Sequence, residues 1–410
     1  YILLMHYIFR VKNNFMKQTR SNLAAVFTLA ATLSMASLSA QESITITVKN
    51  NLGSNRNEVV AITNKSLAGF LKGKKEADLR IKNAAGKTEP LQWIDYDGDK
   101  KNDELLFMAA VKANGTAKYT LVSAPNTPVA ASKYTTFSRF VPERTDDYTW
   151  ENDKVAFRTY GPDAQQRTEQ KRENGTLSSG IDIWLKRTPE SIIDKWYKGY
   201  LTDPMFYHSD KGEGYDPYHV GASRGTGGTG IWEKDSLLVS KNFTGYKTIA
   251  TGPLRTVFEL EYAPYSPYEI KETKRVSLDL NTNFSKFEIT YTSKKPLPNF
   301  STGITLHSNE GKAEVFADKG IIAHHEKIDG NYIGEGLVMA PGIIQKAFIN
   351  KSKTKDQSNV IAVTKATGKT TFYAGFAWAK AGQATNETEW NTMLKKQAEI
   401  IASPLQVTVK

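Results

Sequence analysis

The 410-residue sequence contains no cysteine. Disulfides and thiolate metal sites are therefore excluded. So is the modified cysteine on which a bacterial lipoprotein depends. Histidine is scarce, with six in the chain, so each one matters for chemistry near neutral pH. No polybasic run or nucleic-acid motif occurs, and nucleic acid is not an expected partner. The apolar runs are too short for a comfortable membrane span, and no membrane anchor is expected. No Ser-His-Asp order with a nucleophile elbow is present. Gly225-Thr-Gly-Gly-Thr-Gly230 lacks the lysine and the βαβ setting of a phosphate-binding loop.

What remains is globular: 40% hydrophobic and 11% aromatic residues exclude global disorder. Residues 1–40 read as a secretory signal peptide with an upstream extension. Met16-Lys-Gln-Thr-Arg is the basic region, Leu23 to Leu33 the apolar region, and Ser37-Leu-Ser-Ala40 the small residues before cleavage. The expected location is the periplasm or outside the cell. Beyond residue 40, 50 basic residues face 43 acidic ones. A mildly basic, aromatic-rich exported protein suits an anionic polysaccharide better than other anionic partners.

The pattern is mainly β. Residues 41–125 hold short alternating runs, such as Ser43-Ile-Thr-Ile-Thr-Val-Lys49 and Glu104-Leu-Leu-Phe-Met-Ala109, at about ten-residue spacing. They predict a small β-sandwich. A Pro/Ser/Ala/Thr-rich linker follows over 126–139. Residues 140–410 carry long strands with hairpin-length gaps, predicting large antiparallel sheets with few helices. The last helix runs near Glu387 to Ile401, with Trp390, Leu394 and Ala398 on one face.

Within the first domain, Asp95-Tyr-Asp-Gly-Asp-Lys-Lys-Asn-Asp103 places carboxylates at alternate positions around a glycine turn. Asp95, Asp97, Asp99 and Asp103 suit a structural calcium ion, which takes six to eight oxygens. An acidic hairpin turn closed by Asp97-Gly98 reads equally well. No other cofactor is required.

Two strands mix charge and aromatics on one face. Val155 to Tyr160 places Arg158 with Tyr160, and Gly180 to Arg187 places Asp182, Trp184 and Lys186 together. The stretch Tyr207 to Trp232 is the least ordinary. Its 26 residues include His208, His219, Asp210, Glu213, Asp216, Arg224, four aromatics and seven glycines. It reads as a long loop forming one wall of a site, with Tyr207, Tyr218 and Trp232 as contacts. His307 ends a strand and opens into Ser-Asn-Glu-Gly, a further catalytic candidate. His324 and His325 point to opposite faces of a strand, so they do not share one metal.

Acid/base chemistry on a sugar fits these residues. Removing the proton α to a uronate carboxylate requires the developing charge to be neutralised. Arg224, with Arg158, supplies a bidentate fork for that carboxylate. His208 or His307 would act as base, and the other histidine or Tyr218 as acid. Two alternatives stand beside this lyase reading. One is a glycoside hydrolase using Glu213, Asp216 or Asp210. The other is a non-catalytic sugar-binding module stacking on Trp184, Trp232 and Tyr218.

Asp146 to Pro162, Gly180 to Arg187 and Tyr207 to Trp232 resemble a family of secreted bacterial proteins called domain of unknown function 4861. The resemblance covers most of the mature chain. It implies a role in polysaccharide utilisation. It also implies a galactose-mutarotase or supersandwich fold and, in some members, an oligosaccharide dehydratase that removes water from a non-reducing-end uronic acid. No catalytic residue is carried over from it.

Overall fold

The computed structural model describes residues 43–218, 220–221, 223–354 and 356–410. The leader expected over 1–40 and the candidate His219 lie outside the described residues.

The fold is mainly β, with antiparallel sheets built on period-two alternation. Strand Ile270–Asp279 shows the logic: Ile270, Val276 and Leu278 point inward, and so do Glu272 and Lys274. Two sheets form the N-terminal layer pair. One contains Arg56–Thr63, Glu104–Val111 and Leu91–Ile94. The other orders Gln406–Val409, Ser43–Lys49, Thr116–Ser123, Leu79–Asn83 and Thr88–Glu89. Among the described residues, the last strand thus pairs with the first, Ile46 opposite Val409. Residues 406–409 were expected in the large domain. Hydrogen bonding places them in the small one, across the linker expected at 126–139, and Thr45–Lys410 is one compact unit.

An eight-stranded sheet carries the rest. Its successive strands are Phe243–Thr251, Arg255–Tyr265, Ile270–Asp279, Phe284–Thr292, Lys369–Trp378, Asn331–Val338, Ile321–Ile328 and Lys312–Phe316. A five-stranded sheet runs Ser236–Leu238, Thr226–Glu233, Phe300–Thr305, Asn359–Thr364 and Ile344–Asn350. Another runs Gly214–Tyr215, Asp182–Lys186, Ala156–Thr159, Asp147–Glu151 and Phe137–Val141. A parallel bridge between Ile181 and Gly225 joins these two. All three sheets feed one apolar core, including Trp150, Ile183, Phe287, Ile304 and Phe372. Burying each such side chain contributes roughly 1.5–3 kcal/mol.

Helix Glu387–Ala402 covers the outer face of the eight-stranded sheet. Asn386 caps it by accepting from the Glu389 amide. Gly334 and Gly336 leave room for Trp390 and Leu394: a Cβ at 334 would stand 2.4 Å from the Trp390 ring. No helix among the described residues is long and apolar enough to cross a membrane.

Two local expectations need correction. Tyr207 to Trp232 is not one loop, because Thr226–Glu233 is a buried strand pairing with Phe300–Thr305. Its glycines serve close packing: a Cβ at Gly227 would press on Ala374 and Phe372. The Asp182, Trp184 and Lys186 face is not open either. Helix Ile193–Tyr200 and Tyr207 cover it, and all three residues are buried.

Candidate functional site

Period-two geometry places His324 and Glu326 on the inner face of Ile321–Ile328. Glu335, on the next strand, stands directly opposite His324. His307 arrives from the facing sheet, two residues beyond Phe300–Thr305, with φ +41. Left-handed backbone at a non-glycine residue is a strained arrangement typical of functional positions. His324 Nδ1 lies 2.8 Å from Glu335 Oε2. His307 Nε2 lies 3.5 Å from Glu335 Oε2 and 3.9 Å from Glu326 Oε1. Thr226 donates to Glu335 Oε1, and Tyr218 donates to Glu326 Oε1. The Tyr218 ring stacks on His307 at 4.0 Å, with the planes 18° apart.

Electrostatics divides these groups. Burial alone would push His307 down, but Glu335, reinforced by Glu326, holds its pKa above the usual histidine value. Burial opposes the Glu335 charge, yet His307 and then His324 keep its pKa well below the carboxylate range. Burial, with the Glu335 and Glu326 charges, pushes Tyr218 far above 10, so it stays a protonated phenol.

His208 occupies a neighbouring centre. Its Nδ1 lies 3.0 Å from the Asp216 carbonyl oxygen, which can only accept, so Nδ1 donates and Nε2 carries the lone pair. Burial lowers its pKa, the Asp216 carbonyl offsets part of that, and Arg158 lowers it further. The side chain is 31% exposed. Tyr218 is two residues from Asp216, at most about 7 Å along the chain.

Arg158 itself is not available to a ligand. Its Nη2 bonds Asp182 at 2.6 Å and Asp216 at 2.7 Å, and Asp147 lies 3.8 Å from Nη1. The Tyr160, Trp184 and Tyr207 rings surround the guanidinium at 5.1–5.6 Å. This is a buried ionic core, and breaking such a pair typically costs about 3–5 kcal/mol. Burial and the facing Asp182 charge push Asp216 up despite Arg158.

Arg224 is also internal. Its Nη2 donates to Ser179 Oγ at 2.9 Å and to the Thr229 carbonyl at 3.1 Å. The expected carboxylate fork of Arg224 and Arg158 is therefore overturned, because both guanidiniums end inside the protein. Trp184 packs on Trp196 and Tyr207 and offers no open ring face. Lys186 bonds Glu151 at 2.6 Å, and Glu151 accepts from the Ile192 and Ile193 amides at a helix start. Asp210 is held by Arg187 at 3.0 Å and Lys380 at 2.6 Å, and Glu213 by Lys195 at 2.7 Å. Trp232 is half-buried, edge-on to Phe348.

On the acidic hairpin, donor atoms of Asp95, Asp97 and Asp99 lie within 4.8 Å of one another. Asp103 stands apart and accepts from the Tyr96 amide. Asp95, Asp97 and Asp99 also accept backbone amides of their own turn, as an acidic hairpin requires.

A groove of about 1440 Å³ lies between the N-terminal strands and the eight-stranded sheet. Its Arg255, Arg275 and Lys286 are paired with Asp279, Glu259 and Glu288, while Lys154, Lys247 and Lys396 also line it.

Sequence reasoning missed Glu326, Glu335 and His324 as a cluster. The signals were His324-x-Glu326 spacing along one strand face and a lone glutamate between Gly334 and Gly336 in an apolar run.

The chain is 41% identical over 370 residues to "Uncharacterized protein P7" of Formosa agariphila, spanning 89% of this chain and 93% of the relative. Two Enterococcus faecalis structures align over 90% of the chain at 10% identity and a TM-score of 0.48. One is described as a protein in the glycosyl hydrolase family 38 and the other as an alpha-mannosidase, and this chain spans 47% and 46% of their lengths. The family described as "Domain of unknown function (DUF4861)" matches residues 48–407, and the chain belongs to that family.

Proposed function

We propose that this protein is a carbohydrate-active lyase of the dehydratase type, acting on uronic-acid-containing oligosaccharides outside the cytoplasm. One observation carries the chemistry: Tyr218, held as a phenol, stacks on His307, whose pKa is raised, and lies two residues from Asp216, which positions His208, whose pKa is lowered. His208 Nε2 takes the proton from the carbon α to the carboxylate. The released electron pair forms the double bond as the neighbouring C4–O bond breaks. Tyr218 protonates the departing oxygen, which leaves as water. The positive charge that the substrate carboxylate needs has to come from the His307 centre, since Arg158 and Arg224 are engaged inside the fold. The substrate class rests on the chain's resemblance to uronate-acting members of its family.

The hydrolase alternative has less support. Asp210, Glu213 and Asp216 are each tied to a cation.

The experiment is incubation with uronic-acid oligosaccharides. Ultraviolet absorbance from a conjugated uronate should rise, with product lighter by one water. Tyr218→Phe should lower kcat by about 10²–10⁴-fold, the usual worth of a positioned acid. New reducing ends without that absorbance would sink the proposal in favour of hydrolysis. Binding without turnover would leave a sugar-binding module.

A further inference from the structure

We infer that His307, His324, Glu326 and Glu335 form a binding site for one divalent cation of the first transition series, zinc foremost. This deepens the reading of the same centre. Each residue offers a donor atom, and the four atoms lie within 4.8 Å of one another. Donors about 2.1 Å from a common ion stand about 3.4 Å apart in a tetrahedron, and about 3.0 or 4.2 Å apart in an octahedron. The separations here are 2.8, 3.5 and 3.9 Å. The two longer ones exceed a hydrogen bond and fall inside the spread expected around one ion.

Two further observations point to a missing partner. His307 Nε2 is buried without a hydrogen-bond partner among the described residues, and His324, whose Nδ1 faces Glu335, is 1% exposed. Orphaned buried polar atoms are rare and call for an explanation such as an ion. The charge balance agrees. Two glutamate carboxylates meet at this centre, so without an ion it disfavours a uronate. A divalent ion cancels those two charges and supplies the Lewis-acid contact that neither arginine provides.

The donor set selects the metal. Two imidazoles with two carboxylates suit zinc and its neighbours better than calcium or magnesium, which prefer oxygen alone. The surroundings resemble those of a built metal site. Thr226 fixes the second oxygen of Glu335, and Tyr218 fixes Glu326 and lies over His307.

The test reads metal without substrate, so it fails or succeeds independently of the dehydratase proposal. The protein is stripped with chelator, dialysed against a mixture of zinc, manganese, calcium and magnesium, and analysed by mass spectrometry of the elements. About one transition ion per chain is expected. Cobalt(II) loading should give visible bands of an N/O-coordinated ion, and chelator should lower Tm. His307→Ala and His324→Ala should abolish the bands, and Thr226→Val should weaken affinity about 10–100-fold. His325→Gln should leave binding intact, because His325 faces Tyr332 and Glu314. If the ligand variants fail to fold, the wild-type cobalt spectrum decides. No cobalt uptake, uptake of calcium or magnesium alone, or wild-type binding in His307→Ala would overturn the inference.

Discussion

His208 and His307 are the same side chain in two electrostatic settings. Burial and then Arg158 pull the pKa of the first below the ordinary histidine value against the Asp216 carbonyl, while Glu335 and Glu326 raise that of the second despite its burial. If His208 is the base, turnover needs its neutral form. Activity should therefore fall as pH drops through its pKa, which lies below the ordinary 6.5. The acid limb of kcat/KM in wild type is the measurement, and a limb above 6.5 would exclude His208. Both histidines and Tyr218 were visible in sequence because their types are few and chemical. Glu335 was not, because a single carboxylate in an apolar strand carries no sign of the partners that meet it across 28 residues from His307. Arg158 and Arg224 misled for the converse reason. Sequence shows that an arginine shares a face with a tyrosine, but not whether a helix covers that face.

At the scale of elements, alternation identified most strands and the closing helix, since period two and period 3.6 are local properties. It failed where packing sets the backbone. Gly225 sits at φ +54, and a Cβ there would stand 1.9 Å from the Ile181 carbonyl oxygen. That contact is the bridge joining two sheets. Gly225→Ala should destabilise the protein by about 3 kcal/mol or more, combining left-handed strain with a clash against backbone. Urea midpoints compare it with Gly212→Ala, where the chain is also left-handed but a Cβ meets nothing within 4 Å. Equal losses would mean that backbone conformation alone matters and the close approach does not.

Across the whole molecule, the large core and the mainly β class followed from strand spacing. The assignment of residues 406–409 did not, because pairing between distant segments leaves no local trace. Their four register pairs, Ile46–Val409 to Lys49–Gln406, complete one edge of an N-terminal sheet. Truncation after Ser403 should lower Tm and expose Ser43–Lys49 as a bare edge. Limited proteolysis read by mass spectrometry should then cut first in the N-terminal strands. Cleavage starting in the eight-stranded sheet instead would show that the two layers do not differ in dependence on the last strand.

The pairing of the first strand with the last also imposes a schedule. During synthesis Ser43–Lys49 and its neighbour Thr116–Ser123 emerge early, yet the other edge of Ser43–Lys49 stays bare until Gln406–Val409 has been made. An open edge is a template for wrong partners, and contacts this far apart in sequence form slowly. A sheet begun at Ser43–Lys49 is therefore closed only once Gln406–Val409 arrives, and through that interval the bare edge is open to wrong partners.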